Sequence, residues 1–281
     1  MPRLPAPLPP IHALEALVET DARLLTLLDG LSSADWDRPT IVPRWRLRHV
    51  AGHLLDTALR RLSIVRDGVA ADGPASGAPA DVRAFVDRVN AEGVAVYGRL
   101  SPRVLTALMR VAVADLHAHL RALDPQAPAA FAVSWAGETT SPVWFDIARE
   151  LTERWHHQQQ IRLAVDRPGL MIPALYHPVL DCFMRVLPHA CRHVEAAEGT
   201  HVECRVEGDA GGTWRLVRAG QRWQLTGDDL TGPAARVVIP QALAWRLFTK
   251  GLGRSEREAA LVVEGDRTLA EPLLTAVAIV G

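Results

Sequence analysis

Apolar side chains recur at three- and four-residue spacing through most of the first two thirds of the chain. Residues 11–31 carry Ile11, Leu14, Leu17, Val18, Leu24, Leu25 and Leu28 at helical spacing, and Gly30 with Ser32 and Ser33 ends the run. Residues 46–67 repeat the pattern with Leu47, Val50, Leu54, Leu55, Ala58, Leu62 and Val65. The stretch 68–80 is built from Gly, Ala, Pro, Ser and Asp and reads as a loop. Two further helices are expected over about 81–99 and 103–122, separated by Ser101 and Pro102. Residues 124–141 hold Pro, Gly, Ser and Thr around Trp135, the mark of a long crossover. A helix over about 142–165 follows and stops before the Asp166–Gly169 turn. Another is expected over about 173–196, where Pro178 and Pro188 should kink or divide it.

The pattern changes near residue 200. Segments 201–206, 213–218, 222–226 and 235–239 are short and partly alternating, as strands are, with turn-forming residues at 208–212 and 218–221. A short helix over 240–250, a strand over 260–264 and a last helix over 267–279 complete the chain. The expected fold class is therefore α + (α+β). A helical domain over 11–170 precedes a linker helix and a small α+β domain over 171–281. No internal repeat of 20–50 residues is visible.

Composition narrows the function. With 281 residues, 48% hydrophobic and 22% charged, the chain is globular in character. A net charge of −1 provides no basic field for nucleic acid or an anionic membrane surface. No segment reaches ~18 uninterrupted apolar residues, so no membrane span is expected. The first ten residues contain five prolines and no continuous apolar core, so they read as an extended arm and not as a signal peptide. Cys182, Cys191 and Cys204 are odd in number and lack CxxC spacing. That excludes a disulfide scaffold or a thiolate zinc knuckle and fits a reducing cytoplasm.

Eleven histidines include several at ligand spacing. Glu153 and His157 are four apart and project from one helix face, so a carboxylate and an imidazole can converge on one ion. His49 and His53 are also four apart, and Gly52 beside them permits close helix approach. His49 reads as an exposed residue at a helix start. Taken alone, a Glu–His pair at this spacing is most often a surface ion pair. His117 and His119, two apart, cannot share a face and carry no assignment; His189 and His193 lack a nearby carboxylate face. The tryptophans read as core and boundary residues. No GxSxG elbow, phosphate loop, HExxH or dinucleotide-binding motif is present. Two histidines and one carboxylate from facing helices would leave an open position on zinc, the catalytic and not the structural arrangement.

The segment W-R-L-R-H-V-A-G-H-L from Trp45 to Leu54 resembles the W-x-V-x-D-V-x-x-H-L signature of DinB-like metal-binding bundles. Glu153-x-x-x-His157 resembles their downstream carboxylate–histidine pair. A helical half followed by an α+β tail, with Trp245–Gly251 in it, resembles the mycothiol-dependent maleylpyruvate isomerase family. The resemblance implies a four-helix DinB-like bundle and a sterol-carrier-like C-terminal domain. It implies metal ligation by His53, Glu153 and His157, and a role at the site for Arg246. Relatives often begin the second helix with Ser or Thr and place Asp three residues on; here Arg46 and His49 stand there, so capping differs.

The function implied is that of a cytoplasmic, metal-dependent enzyme, with zinc the expected ion. A low-molecular-weight thiol such as mycothiol would be cofactor or co-substrate, acting on a small electrophile in an isomerase or S-transferase reaction. Glu150 and Gln160, one turn from the ligands, are candidates to orient them. The expected partners are small molecules, with the chain a monomer or homodimer. Two alternatives stay open: a metal-dependent hydrolase, and a non-enzymatic protein binding a small ligand.

Overall fold

The structure, a computed structural model, describes residues 6–70 and 72–279. The first five residues of the proline-rich arm lie outside the described residues. Two compact units are present: a helical one of residues 13–130 and 150–170, and a sheet-bearing one of residues 6–12, 131–149 and 171–279.

The helical unit holds α1 (Leu14–Asp29), α2 (Leu47–Arg61), α3 (Pro79–Tyr97), α4 (Pro102–Arg121) and the greater part of α5 (Val143–Ala164). Apolar stripes drive their packing. Leu17, Leu24, Leu27 and Leu28 of α1 are buried, as are Leu105, Met109, Leu116 and Leu120 of α4. Ser101 caps α4 by accepting from the Val104 amide at 3.4 Å, and Pro102 takes the first helical position, where its missing N–H costs nothing. Helix α2 is the inner one: Leu47, Val50, Ala51, Leu54, Leu55 and Ala58 are fully buried. It approaches the end of α3 so closely that a Cβ on Gly52 would stand 3.2 Å from the Gly98 amide nitrogen. That is the close approach expected of this glycine. Helix α2 runs on into one π-helical turn, Leu62–Arg66.

In the second unit come α6 (Pro173–Met184), α7 (Leu187–Ala190), β1 (His201–Glu207), β2 (Gly212–Ala219), β3 (Arg222–Thr226), β4 (Ala235–Pro240), α8 (Gln241–Phe248), α9 (Arg254–Ala260), β5 (Val262–Gly265) and α10 (Arg267–Thr275). The sheet order is β3-β2-β1-β4-β5; β1 and β4 are parallel and the other pairs antiparallel. Cys204 on β1 stands opposite Trp214 on β2 and Val237 on β4, and all three are buried. Helices α8 and α10 pack on β1 and β4. Residues 6–10 of the arm belong to no helix or strand, and Ala6 donates to Asp228 Oδ2 at 3.0 Å and accepts from the Gly227 amide at 2.8 Å.

Three boundaries differ from the sequence expectation. The helix expected over 173–196 divides at Arg185 and Val186 and ends at Ala190. Pro178 lies inside α6, whereas Pro188 lies in the first turn of α7, where an absent N–H is tolerated. The last helix ends at Thr275 and not at 279. Helix α9 was not expected at all, because its residues are polar and none is buried, so it shows no apolar period.

Candidate metal centre

Helix α2 carries His53 and α5 carries Glu153 and His157. One ligand atom from each lies within 4.8 Å of the other two, the one such group of three among the described residues. His53 Nε2 stands 2.9 Å from Glu153 Oε1, and His157 Nε2 stands 3.2 Å from the same oxygen. The two imidazole rings meet edge to face, centroids 4.6 Å apart. His53 and His157 are buried, and the Glu153 side chain keeps about a quarter of its surface exposed (26%). So the three residues carried over from the resemblance come together.

The sequence dictates how each is held. Gln160, one turn beyond His157, presents Oε1 to His157 Nδ1 at 2.8 Å. With that oxygen as acceptor, Nδ1 carries the hydrogen. His157 Nε2 then faces the Glu153 carboxylate. Two electron-rich atoms 3.2 Å apart require a positive charge between them, a proton or a metal ion. Burial, and the neighbouring His157, hold His53 below the ordinary imidazole range, so it is neutral at pH 7, the form that ligates. Burial alone would raise the Glu153 carboxyl, but His157 and His53 together hold it well below the usual carboxylate range. Burial drives His156 down to about 3; its Nδ1 donates to the Thr152 carbonyl at 2.8 Å, and its ring centroid lies 4.0 Å from that of His157.

A cation with bonds of ~2.0–2.1 Å places its ligand atoms ~3.0 Å apart along an octahedral edge or ~3.3 Å along a tetrahedral one. The observed 2.9 and 3.2 Å fit either. Two imidazoles and a carboxylate form a donor set that suits zinc. His53, Glu153 and His157 therefore fit a divalent metal.

The start of α2 lacks the Ser/Thr and Asp that the resemblance implies, yet keeps part of a capping-box geometry. His49 Nδ1 accepts from the Arg46 amide at 3.1 Å, doing the reach-back that an acidic residue does in a capping box. His49 is thus half-buried and not exposed as expected. Of the two orienting candidates, Gln160 contacts His157. Glu150 Oε2 instead accepts from Arg61 at 3.3 Å within the buried interior.

The sequence groups Trp45 with the core and boundary tryptophans, and the structure sets it beside the cluster. Its ring lies 5.2 Å from that of His53 and 6.3 Å from that of His157, nearly parallel to the latter. The loop holding it is tightly tied: the Thr40 amide and hydroxyl both donate to the Trp45 carbonyl, at 3.1 and 2.9 Å. Arg44 just before it adopts the left-handed conformation (φ 68°). The signal was available, because Trp45 opens the motif that ends in His53.

Arg246 lies in α8. Its Nε donates to the Gly251 carbonyl at 2.9 Å, and its Nη2 meets both Glu256 carboxylate oxygens, at 3.0 and 3.1 Å. All three cysteines are buried, and burial pushes Cys191 and Cys204 up to about 12 and Cys182 higher still.

The helix-long patterns match known proteins. Two uncharacterized proteins of Mycobacterium tuberculosis, Rv0036c of strain H37Rv and MT0041 of strain CDC 1551, are 32% identical over 148 residues. That match covers 53% of this chain and 53% of each relative, so the chain spans about half the length of the curated relatives it matches. Crystal structures of the mycothiol-dependent maleylpyruvate isomerase and of a histidine-to-alanine mutant share the fold. Their TM-scores are 0.54 and 0.53 at 16% identity, over 92% of this chain and 93% of theirs. A UbiJ-SCP2 ubiquinone synthesis protein overlaps 38% of the chain at a TM-score of 0.25, too low to bear on the fold. The family model described as mycothiol maleylpyruvate isomerase N-terminal domain matches residues 17–162, just over half of the chain and inclusive of Trp45, His53, Glu153 and His157. The chain belongs to the mycothiol maleylpyruvate isomerase family.

Proposed function

We propose that this chain is a metal-dependent enzyme that uses a low-molecular-weight thiol, mycothiol or a close chemical relative, to isomerise a small unsaturated acid such as maleylpyruvate. The convergence of His53, Glu153 and His157 on one point carries this reading. Zinc is the ion assigned, on the chemistry of the donor atoms. When bound, a divalent cation supplies the Lewis acidity that ionises a thiol near neutral pH, and the thiol supplies a nucleophile able to add reversibly to a conjugated double bond.

The chain's own residues prepare for that chemistry. Gln160 fixes the tautomer and rotation of His157, so Nε2 faces the cluster. Glu153 stays ionised and offers one oxygen between two imidazoles. The Trp45 ring lies beside both histidine rings. No cysteine competes as nucleophile, because each is buried and held protonated. That favours an external thiol. For Arg246 the proposed role is to bind a substrate carboxylate; it already holds the Glu256 carboxylate through both oxygens, so a substrate carboxylate would replace like with like.

The test is elemental analysis and turnover of the purified chain. One zinc per chain, lost in His53→Ala, and cis–trans isomerisation that requires added thiol are expected. Isomerisation without thiol would refute the thiol-dependent reading, and thiol-independent cleavage of a substrate by water would favour a hydrolase at the same residues. Arg246→Lys should raise KM for a carboxylate substrate while leaving zinc content unchanged.

A further inference from the structure

Beside the face of α5 that carries Glu153 and His157 lies a buried ionic cluster that the metal chemistry does not use. Arg154 and Asp21 are both 0% exposed, and His117 is 7% exposed. Asp21, on α1, spends both carboxylate oxygens: Oδ1 accepts from Arg154 Nε, and Oδ2 lies 2.8 Å from His117 Nε2 on α4. Arg154 Nη1 donates to the Leu54 carbonyl of α2 at 3.2 Å, and Nη2 reaches Met109 Sδ of α4 at 3.7 Å. One guanidinium on α5 thus touches α1, α2 and α4.

Its position in the sequence gives the cluster its consequence. Arg154 follows Glu153, and Leu54 follows His53. The Arg154–Leu54 bond therefore ties α5 to α2 one residue away from the Glu153–His53 contact. A slip of one residue along a helix moves a side chain ~1.5 Å and turns it by ~100°. A metal site tolerates errors of only ~0.5 Å. Apolar packing between helices tolerates more, because side chains of similar size can exchange contacts. Buried ion clusters are commonly no more stabilising than apolar replacements, so stability alone gives little reason to keep this one.

We infer that Arg154, held by Asp21 and His117, is a positioning residue that fixes the register of α5 against α2 and thereby the convergence of His53 with Glu153 and His157. The inference rests on the metal reading above and goes beyond it.

The experiment measures Co²⁺ affinity by competition with a chromophoric chelator, the Co²⁺ visible spectrum, and the Tm of the metal-free protein. The main variant replaces the cluster with apolar side chains: Arg154→Met, Asp21→Leu and His117→Leu together. The expected result is a folded protein, with metal-free Tm equal to or above wild type, whose Co²⁺ affinity falls by about ten-fold or more and whose Co²⁺ spectrum broadens. Arg154→Lys is the second variant. It keeps the charge beside Asp21, but a single ammonium cannot span Asp21, Leu54 and Met109. It is expected to fold and to lose a similar factor, so the test survives if the triple variant does not fold. Affinity within two-fold of wild type in either folded variant would overturn the inference. The metal reading has its own control: wild type should bind one Co²⁺ and His53→Ala none. Failure of that control sinks both ideas, whereas a passing control with unaffected cluster variants sinks only this one.

Discussion

Gln160→Ala isolates the simplest of the site's supports. The mutation removes an oxygen that lies 2.8 Å from His157 Nδ1, where both residues are buried. A buried N–H left without a partner costs about 1–3 kcal/mol. The metal-free protein can evade most of that penalty. Its His157 can move the hydrogen to Nε2 and donate it to Glu153 Oε1, 3.2 Å away. The metal-loaded protein cannot, because Nε2 must then offer its lone pair. The penalty thus falls mainly on the loaded state. Metal affinity should drop by about 10–100-fold, which is ~1.4–2.7 kcal/mol. The Tm of the metal-free protein should fall by only a few degrees. Chelator competition at fixed pH reads the first number and a thermal melt the second. Gln160→Glu, which keeps an acceptor, should retain affinity, and Glu150→Gln, whose partner is Arg61, should leave it near wild type. If Gln160→Ala binds metal within two-fold of wild type, the argument from His157 orientation is wrong.

Other outcomes follow from particular contacts. Gly52→Val should lower Tm by several degrees, since even a Cβ would stand 3.2 Å from the α3 backbone and overpacking costs about 1–3 kcal/mol; unchanged melting would mean α3 moves freely. The three cysteines should react with a thiol-specific reagent only after unfolding, and labelling of the native protein would contradict their burial. Burial opposes ionisation of Glu203, yet Arg236 and Arg215 hold its carboxyl below the usual range. A depressed carboxylate contributes stability above its unfolded-state pKa and loses it as pH falls through the folded value. Acid melts should therefore show Glu203→Gln converging on wild type below the usual glutamate range and lying beneath it at neutral pH; parallel curves would refute this.

Much of the fold was legible because apolar side chains repeat at helical spacing in α1, α2 and α4. Helix α9 escaped because Arg254 to Ala260 bury nothing, so no period marks them. The site was legible in part. Glu153 and His157 stand one turn apart on a single helix, which spacing alone reveals. Their meeting with His53 depends on α2 and α5 packing together, and only the motif from Trp45 to His53 signalled it. Trp45 itself went unassigned because a loop, not a periodic element, aims its ring. Arg154 was the least visible of all. Between Glu153 and Trp155 an arginine reads as a surface charge, and nothing in a linear sequence ties it to Asp21, more than a hundred residues earlier.

The burial of Cys182, Cys191 and Cys204 has a consequence beyond keeping them out of the reaction. A protein that works beside an abundant small thiol is exposed to that thiol's oxidised form, which caps accessible cysteines as mixed disulfides. Sulfur withdrawn into the interior offers no such handle. The proposed activity would then depend on the supply of reduced thiol, with no oxidation of the protein itself to reverse.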